Sequence, residues 1–157
     1  MQTGDTPLID AVRHGRADEV AALLSGGADA NKPKTGGSGA TPLHIACLKG
    51  HTEIATALIA AGAKVNQAMD GGDTPLMVAC LKNHTETATA LIAAGAAVNQ
   101  AMVGGYTPLY IACQEGHTEI ATALIAAGVK VNTAARSRAT RRSPLPAKAA
   151  TPRPPRH

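Results

Sequence analysis

The triplet Thr-Pro-Leu begins at Thr41, Thr74 and Thr107, 33 residues apart each time, and an earlier copy begins at Thr6, 35 residues before the first of these. Twelve residues at 51–62, HTEIATALIAAG, return letter for letter at 117–128 and with one change at 84–95. A period in the low thirties constrains the fold more than any other property of the chain. It implies small identical units laid side by side, none of which buries its own apolar surface, and it argues against a single thick core. The two extra residues of the first interval fall in NKPKTGGSG at 31–39, a Gly, Pro and Lys stretch suited only to a loop.

Each unit carries its own punctuation. In the second, Thr41 is an N-cap residue and Pro42 fits the first helical position, where its missing N–H is no loss. Leu43, Ala46 and Cys47 then share one face at helical spacing. Gly50 closes this short helix as a residue that tolerates left-handed backbone. A second helix follows through HTEIATALIAA, with Ile54, Ala55, Leu58 and Ile59 on its apolar face and Gly62 at its end. The next segment, AKVNQAMDGGD, is polar and Gly-rich and reads as a projecting turn. Helices this short are marginal in water alone, since isolated helices need about 12–15 residues. They persist only when stacked.

The chain has no Trp or Phe and two Tyr, Tyr106 and Tyr110. The core must therefore come from Leu, Ile, Val and Ala, which suits thin layers approaching closely. The formal charge of +4 hides an asymmetry. All eleven acidic residues lie before residue 120 and seven of the fifteen Lys and Arg lie from Arg136 onward, so the chain ahead of Arg136 carries eight basic against eleven acidic residues, a net −3.

With these residues in view, ATPLHIACLKGHTEIATALIAAGAKVN resembles the ankyrin repeat: the TPLH opening, the small pair Ala46-Cys47, Gly-His before the second helix and a closing G-A-x-V-N. The resemblance covers residues 5–132. It implies an all-α solenoid of stacked helix-turn-helix pairs with projecting hairpin loops. The domain is expected over residues 1–133, with four repeats at about 5–39, 40–72, 73–105 and 106–133, and a basic Pro/Arg/Ala-rich disordered tail at 134–157. Met69 and Met102 stand where the family commonly has a loop Asp. Asn66, Asn99 and Asn132 are implied to tie adjacent loops. Repeat one, with Asp10, Arg13, His14 and Arg16, suits a capping unit. The fourth repeat has no cap after it, so its outer face is expected to be partly exposed.

No catalytic, metal or cofactor site is expected. His51, His84 and His117 recur at one repeat position, and stacked layers lie ~10 Å apart. A zinc ion needs its ligands within about 2.0–2.3 Å. Cys47, Cys80 and Cys113 recur likewise and read as small buried residues, and their odd number and even spacing argue against disulfides. No nucleophile turn surrounds Ser25 or Ser38, and GGSG is not followed by the Lys-Ser/Thr of a phosphate loop.

The units share their packing letters and differ elsewhere. The resemblance implies that hairpin tips and the exposed side of each first helix form a concave recognition surface, and the differences fall there. The candidate protein-binding residues are Leu48, Lys49 and Asp70 in the second repeat, Asp73, Met77, Leu81, Lys82 and Val103 in the third, and Tyr106, Tyr110, Gln114 and Glu115 in the fourth. Tyr is a favoured contact residue, and both tyrosines are in this set. Two scaffold substitutions stand apart: Asn83 replaces Gly50 and Gly116, and Thr87 replaces Ile54 and Ile120 on a face expected to be buried.

The function expected is non-catalytic binding of another protein by a monomer. Two rival readings are association of the basic tail with nucleic acid or another acidic surface, and a regulatory fragment of a larger enzyme. The Pro-rich TPRPPRH is also suited to a polyproline helix for an aromatic groove. No apolar run reaches the roughly 20 residues that span a bilayer. No membrane partner is expected, and the free cysteines suggest a reducing cytoplasmic or nuclear setting.

Overall fold

A computed structural model describes residues 4–129. They form eight helices in four pairs: α1 (Pro7–Arg13) with α2 (Ala17–Ser25), α3 (Pro42–Lys49) with α4 (Thr52–Ala60), α5 (Pro75–Leu81) with α6 (Thr85–Ala93), and α7 (Pro108–Gln114) with α8 (Thr118–Ala126). Within each pair the helices pack together. Between pairs, α1, α3, α5 and α7 stack in series, as do α2, α4, α6 and α8. Each element is 7–9 residues long, below the length that holds in water alone, so the stack is what makes the helices stable.

The core follows the periodic positions. Leu43, Ala46 and Cys47 of α3 and Ala55 and Leu58 of α4 are fully buried, with Ile54 nearly so, and Leu76, Ala79, Leu91, Ile120 and Leu124 repeat the pattern. Thr6, Thr74 and Thr107 cap their helices, each hydroxyl accepting from the backbone N–H three residues on, at 3.2, 3.4 and 3.2 Å.

In α3 the cap is built with His44. The Thr41 backbone N–H donates to Nδ1 at 3.2 Å, the Thr41 hydroxyl lies 2.8 Å from the same nitrogen, and Nε2 is 3.1 Å from the Asp73 carbonyl of the next repeat. The consistent tautomer is a neutral ring with its proton on Nε2. Burial pulls the pKa of His44 below the usual imidazole value, against the opposing pull of the Asp73 backbone bond and charge.

Polar bonds join the layers at repeating places. His84 Nε2 meets the Leu48 carbonyl at 3.3 Å and His117 Nε2 meets that of Leu81 at 3.4 Å. These carbonyls are at helix C-termini, which lack intrahelical partners. Asn31 holds the next loop by accepting from Lys64 N–H at 2.7 Å and donating to the Gly62 carbonyl at 3.1 Å. Asn66 does the same with Ala97 N–H at 2.7 Å and the Gly95 carbonyl at 3.4 Å. Asn132 lies outside the described residues. Two features favour glycine at Gly50: its φ is +72°, and an added Cβ would come within 2.6 Å of the His84 ring as that ring is placed.

The projecting loops are tight turns, with no residue in a strand among those described. Bonds from Met69 N–H to the Asp73 carbonyl and from Met102 N–H to that of Tyr106 close two of them, at 2.9 Å each. The first turn closes from Lys34 to Ala40 and absorbs the two additional residues. Each tip bonds through its backbone to the tip before it: Thr35 N–H to the Gly4 carbonyl, Asp70 N–H to that of Ser38, and Val103 N–H to that of Gly71.

The two ends differ. In repeat one, Asp5 is buried against Arg13 (2.8 Å) and Lys34 (3.5 Å), meeting both as charges without aligned hydrogen bonds. Arg16 pairs with Asp10 and Glu19 in the open. At the other end Ile125 is 54% exposed, and Ile111 is only half-buried where Ile45 and Val78 are buried. Cys113 is exposed, unlike Cys47 and Cys80, and so departs from the expectation of three buried thiols. Among the described residues no further layer covers α7 and α8.

Candidate functional site

A candidate recess lies between the third and fourth repeats, on the side of the turns and first helices. It is a groove of about 370 Å³ lined by Asp73, Met77, Val78, Leu81, Met102, Tyr106, Tyr110, Ile111, Gln114 and Glu115. Seven of these ten belong to the twelve candidates chosen from the sequence. Helices α5 and α7 supply one wall each, and the turn holding Met102 and Tyr106 overhangs them.

The two tyrosine rings lie 4.9 Å apart between centroids and are tilted 39° to one another. Their spacing of four residues puts them on one face, Tyr106 just before the Thr107 cap and Tyr110 in the first turn of α7. Tyr106 is 43% exposed, and its ring folds back over Gly104, whose φ is +96° and where a Cβ would lie 2.9 Å from the ring. Leu81, at the end of α5, is 47% exposed, so the groove offers apolar surface to solvent. Both charged residues lining it, Asp73 and Glu115, are acidic. Neither carboxylate has an ion-pair or hydrogen-bond partner among the described residues.

Met77 is 1% exposed and so shapes the groove floor without presenting surface. The reason is its place at the third helical position, the site that His44 fills in α3, which faces the next layer. Leu48, Lys49, Asp70, Lys82 and Val103 are exposed but do not line the groove. Val78, Met102 and Ile111 do line it and were not among the candidates, because the inner repeats carry like residues there, Ile45, Val78 and Ile111 in one column and Met69 and Met102 in the other.

A second, polar cleft of about 240 Å³ runs along the seam of α4 and α6 past Gly50, Thr52, Asn83, His84, Thr85, Glu86 and Thr87. Its groups are engaged in joining the layers: the Thr52 and Thr87 hydroxyls are 2.7 Å apart, and His84 reaches Leu48. Among the described residues no three His, Cys, Asp or Glu side chains converge as a metal site would require. Burial pushes the Cys47 and Cys80 thiols up to about 12, so both are protonated and poor nucleophiles at neutral pH. No helix among the described residues is long and apolar enough to cross a membrane.

Helix pairs in register, asparagine-tied turns and a histidine bonding back to the preceding layer define a stacked helical repeat protein of the ankyrin type. A sequence profile of ankyrin repeats (three copies) matches residues 1–69 and again 65–135. The chain belongs to the ankyrin-repeat family. It is 42% identical over 73 residues to human ankyrin repeat domain-containing protein 17, a match spanning 46% of this chain and 3% of that protein. Human ankyrin repeat and KH domain-containing protein 1 matches with the same identity and coverage. Mouse protein phosphatase 1 regulatory subunit 27 is 41% identical over 71 residues, 45% of each chain. The match therefore covers less than half of each of these relatives. Ankyrin repeats generally mediate protein–protein interaction and are typically non-catalytic.

Proposed function

We propose that the chain is a non-catalytic interaction module whose partner is a protein docking on the concave side, centred on the groove between repeats three and four. The observation that carries this reading is the concentration there of both tyrosines of the chain, an exposed leucine and two carboxylates with no ion-pair partner among the described residues. Interface energy tends to reside in a few such anchors in a recess, with the surroundings serving to exclude water. The volume is near the lower end of the ~300–1,000 Å³ of ligand pockets, enough for a few side chains of a partner. A preformed stack also limits the ordering cost of binding.

The test compares proteins captured by the wild-type chain with those captured by a Tyr106→Ala/Tyr110→Ala variant. Capture is expected to fall at least tenfold for the true partner, and equal recovery on both baits rejects the groove. Deleting residues 134–157 is expected to leave capture in place. Loss of capture in that deletion, with steep salt dependence of the intact chain, assigns binding to the basic tail instead.

A further inference from the structure

We infer that the groove has an occupant within the same chain: the segment at 151–156, Thr-Pro-Arg-Pro-Pro-Arg. This rests on the reading of the groove as the docking site and adds its regulation. The first argument is charge. The groove displays Asp73 and Glu115, neither with a counter-ion among the described residues, and no basic residue lines it; the column that reads Lys49 and Lys82 in earlier repeats has reversed to Glu115 here. The segment carries Arg153 and Arg156 and no acid lies anywhere after Glu119.

The second argument is shape. A guanidinium is planar, stacks on an aromatic face and presents its N–H edge to a carboxylate, which fits two tilted tyrosine rings flanked by acids. Prolines favour an extended polyproline helix with little entropy left to lose, and aromatic-lined grooves take such segments.

The third argument is reach. Val129 is the last described residue and belongs to the repeat that forms one groove wall. Arg153 is 24 residues further on. That length spans at most about 80 Å when extended, and about 25–30 Å as a flexible coil. The tether holds the segment at an effective concentration on the order of millimolar. Two arginines and three prolines on so small a site bind weakly in trans, yet a tether of this kind suffices to fill it in cis. A partner must then displace the segment, so removing its two charges is expected to tighten partner binding about twofold or more.

The chain supplies its own reporter, because its only aromatic side chains besides histidine are the two groove tyrosines. The experiment records tyrosine ring NMR signals of the full chain at low salt, with and without Arg153→Gln/Arg156→Gln. The expected result is a shift of both ring signals in the variant and none in the methyl signals of α1 to α4. Raising salt to about 0.5 M brings the wild-type spectrum onto that of the variant, since exposed charges are then screened. In an Asp73→Asn/Glu115→Gln background, the arginine substitutions move nothing. A peptide of residues 150–157 added to the arginine variant restores the original positions. Superposed wild-type and variant spectra at low salt overturn the inference. So does an arginine effect that survives in the Asp73→Asn/Glu115→Gln background. A shift that grows with protein concentration also overturns it, since the occupant is then another copy. If the rings ignore the tail while Tyr106→Ala/Tyr110→Ala still abolishes capture, only this inference fails. Unaffected capture removes the groove itself.

Discussion

Replacing Thr87 by isoleucine isolates one inter-layer contact and can be worked through in numbers. Thr87 is fully buried on α6, and its hydroxyl is 2.7 Å from that of Thr52 on the preceding layer. Isoleucine exchanges the hydroxyl for an ethyl group. Two further buried carbons contribute about 1.6 kcal/mol at ~0.8 per carbon. The lost hydrogen bond gives back about 1 kcal/mol, with Thr52 retaining access to water because it is only half-buried. The net gain is about 0.5 kcal/mol, or roughly 2 °C in Tm for a domain of this size. Overpacking is not expected, because the repeat register already holds the product: Ile120 is fully buried and stands toward Thr85 as Thr87 does toward Thr52.

The same register supplies the controls. Ile120→Thr places a hydroxyl opposite Thr85 and should cost only about 0.5 kcal/mol. Ile54→Thr faces Ala17, which has no hydroxyl, and should cost about 2–4 kcal/mol from lost burial plus an unsatisfied polar group. Urea denaturation of the three variants, read by helical circular dichroism, measures all three values. Two results refute the reasoning. One is a Thr87→Ile chain less stable than wild type. The other is equal costs at 54 and 120, which means the hydroxyl is satisfied within its own helix and Thr52 is immaterial.

Three other outcomes follow from the structure. Asn83 is the one non-glycine residue with positive φ among those described, at +61°; Asn83→Gly is expected to stabilise by up to about 1 kcal/mol, checked by thermal melting. Because the folded pKa of His44 is depressed, its contribution to stability is complete above the unfolded value of about 6.5 and is lost as pH falls from there toward the folded pKa; His44→Met, the residue at the matching position of α5, should flatten that part of the stability–pH curve. Alkylation of the native chain at neutral pH, followed by mass spectrometry, should modify Cys113 well before Cys47 or Cys80.

The period made the fold legible, because a layer that cannot stand alone dictates stacking, and Leu43, Ala46, Cys47, Ile54, Ala55 and Leu58 are buried on the faces assigned from spacing, whereas the buried Ile45 was not on them. The groove was half legible. Tyr106, Tyr110, Gln114 and Glu115 showed themselves by breaking the repeat, whereas Val78, Met102 and Ile111 kept to it and were hidden by their regularity. Burial of Met77 was not readable either, since a position that varies between units looks exposed until a neighbouring layer is placed against it. The Thr52–Thr87 bond joins residues 35 apart through the stacking register, and the Asp5 cluster joins three charges through the first turn, so neither leaves a local pattern. Cys113 differs from its two counterparts only by what lies beyond it.

The uncovered fourth layer has a consequence for recognition. It has a neighbour on one side only among the described residues, so in a linear stack it is the unit that opens most readily. One wall of the groove belongs to it. Every excursion in which α7 and α8 peel away therefore erases the groove proposed as the docking site, and whatever fills that groove would hold the last unit shut. Occupancy should be visible as slowed amide exchange in α7 and α8 with α1 to α4 untouched, making terminal fraying and affinity two readings of one equilibrium.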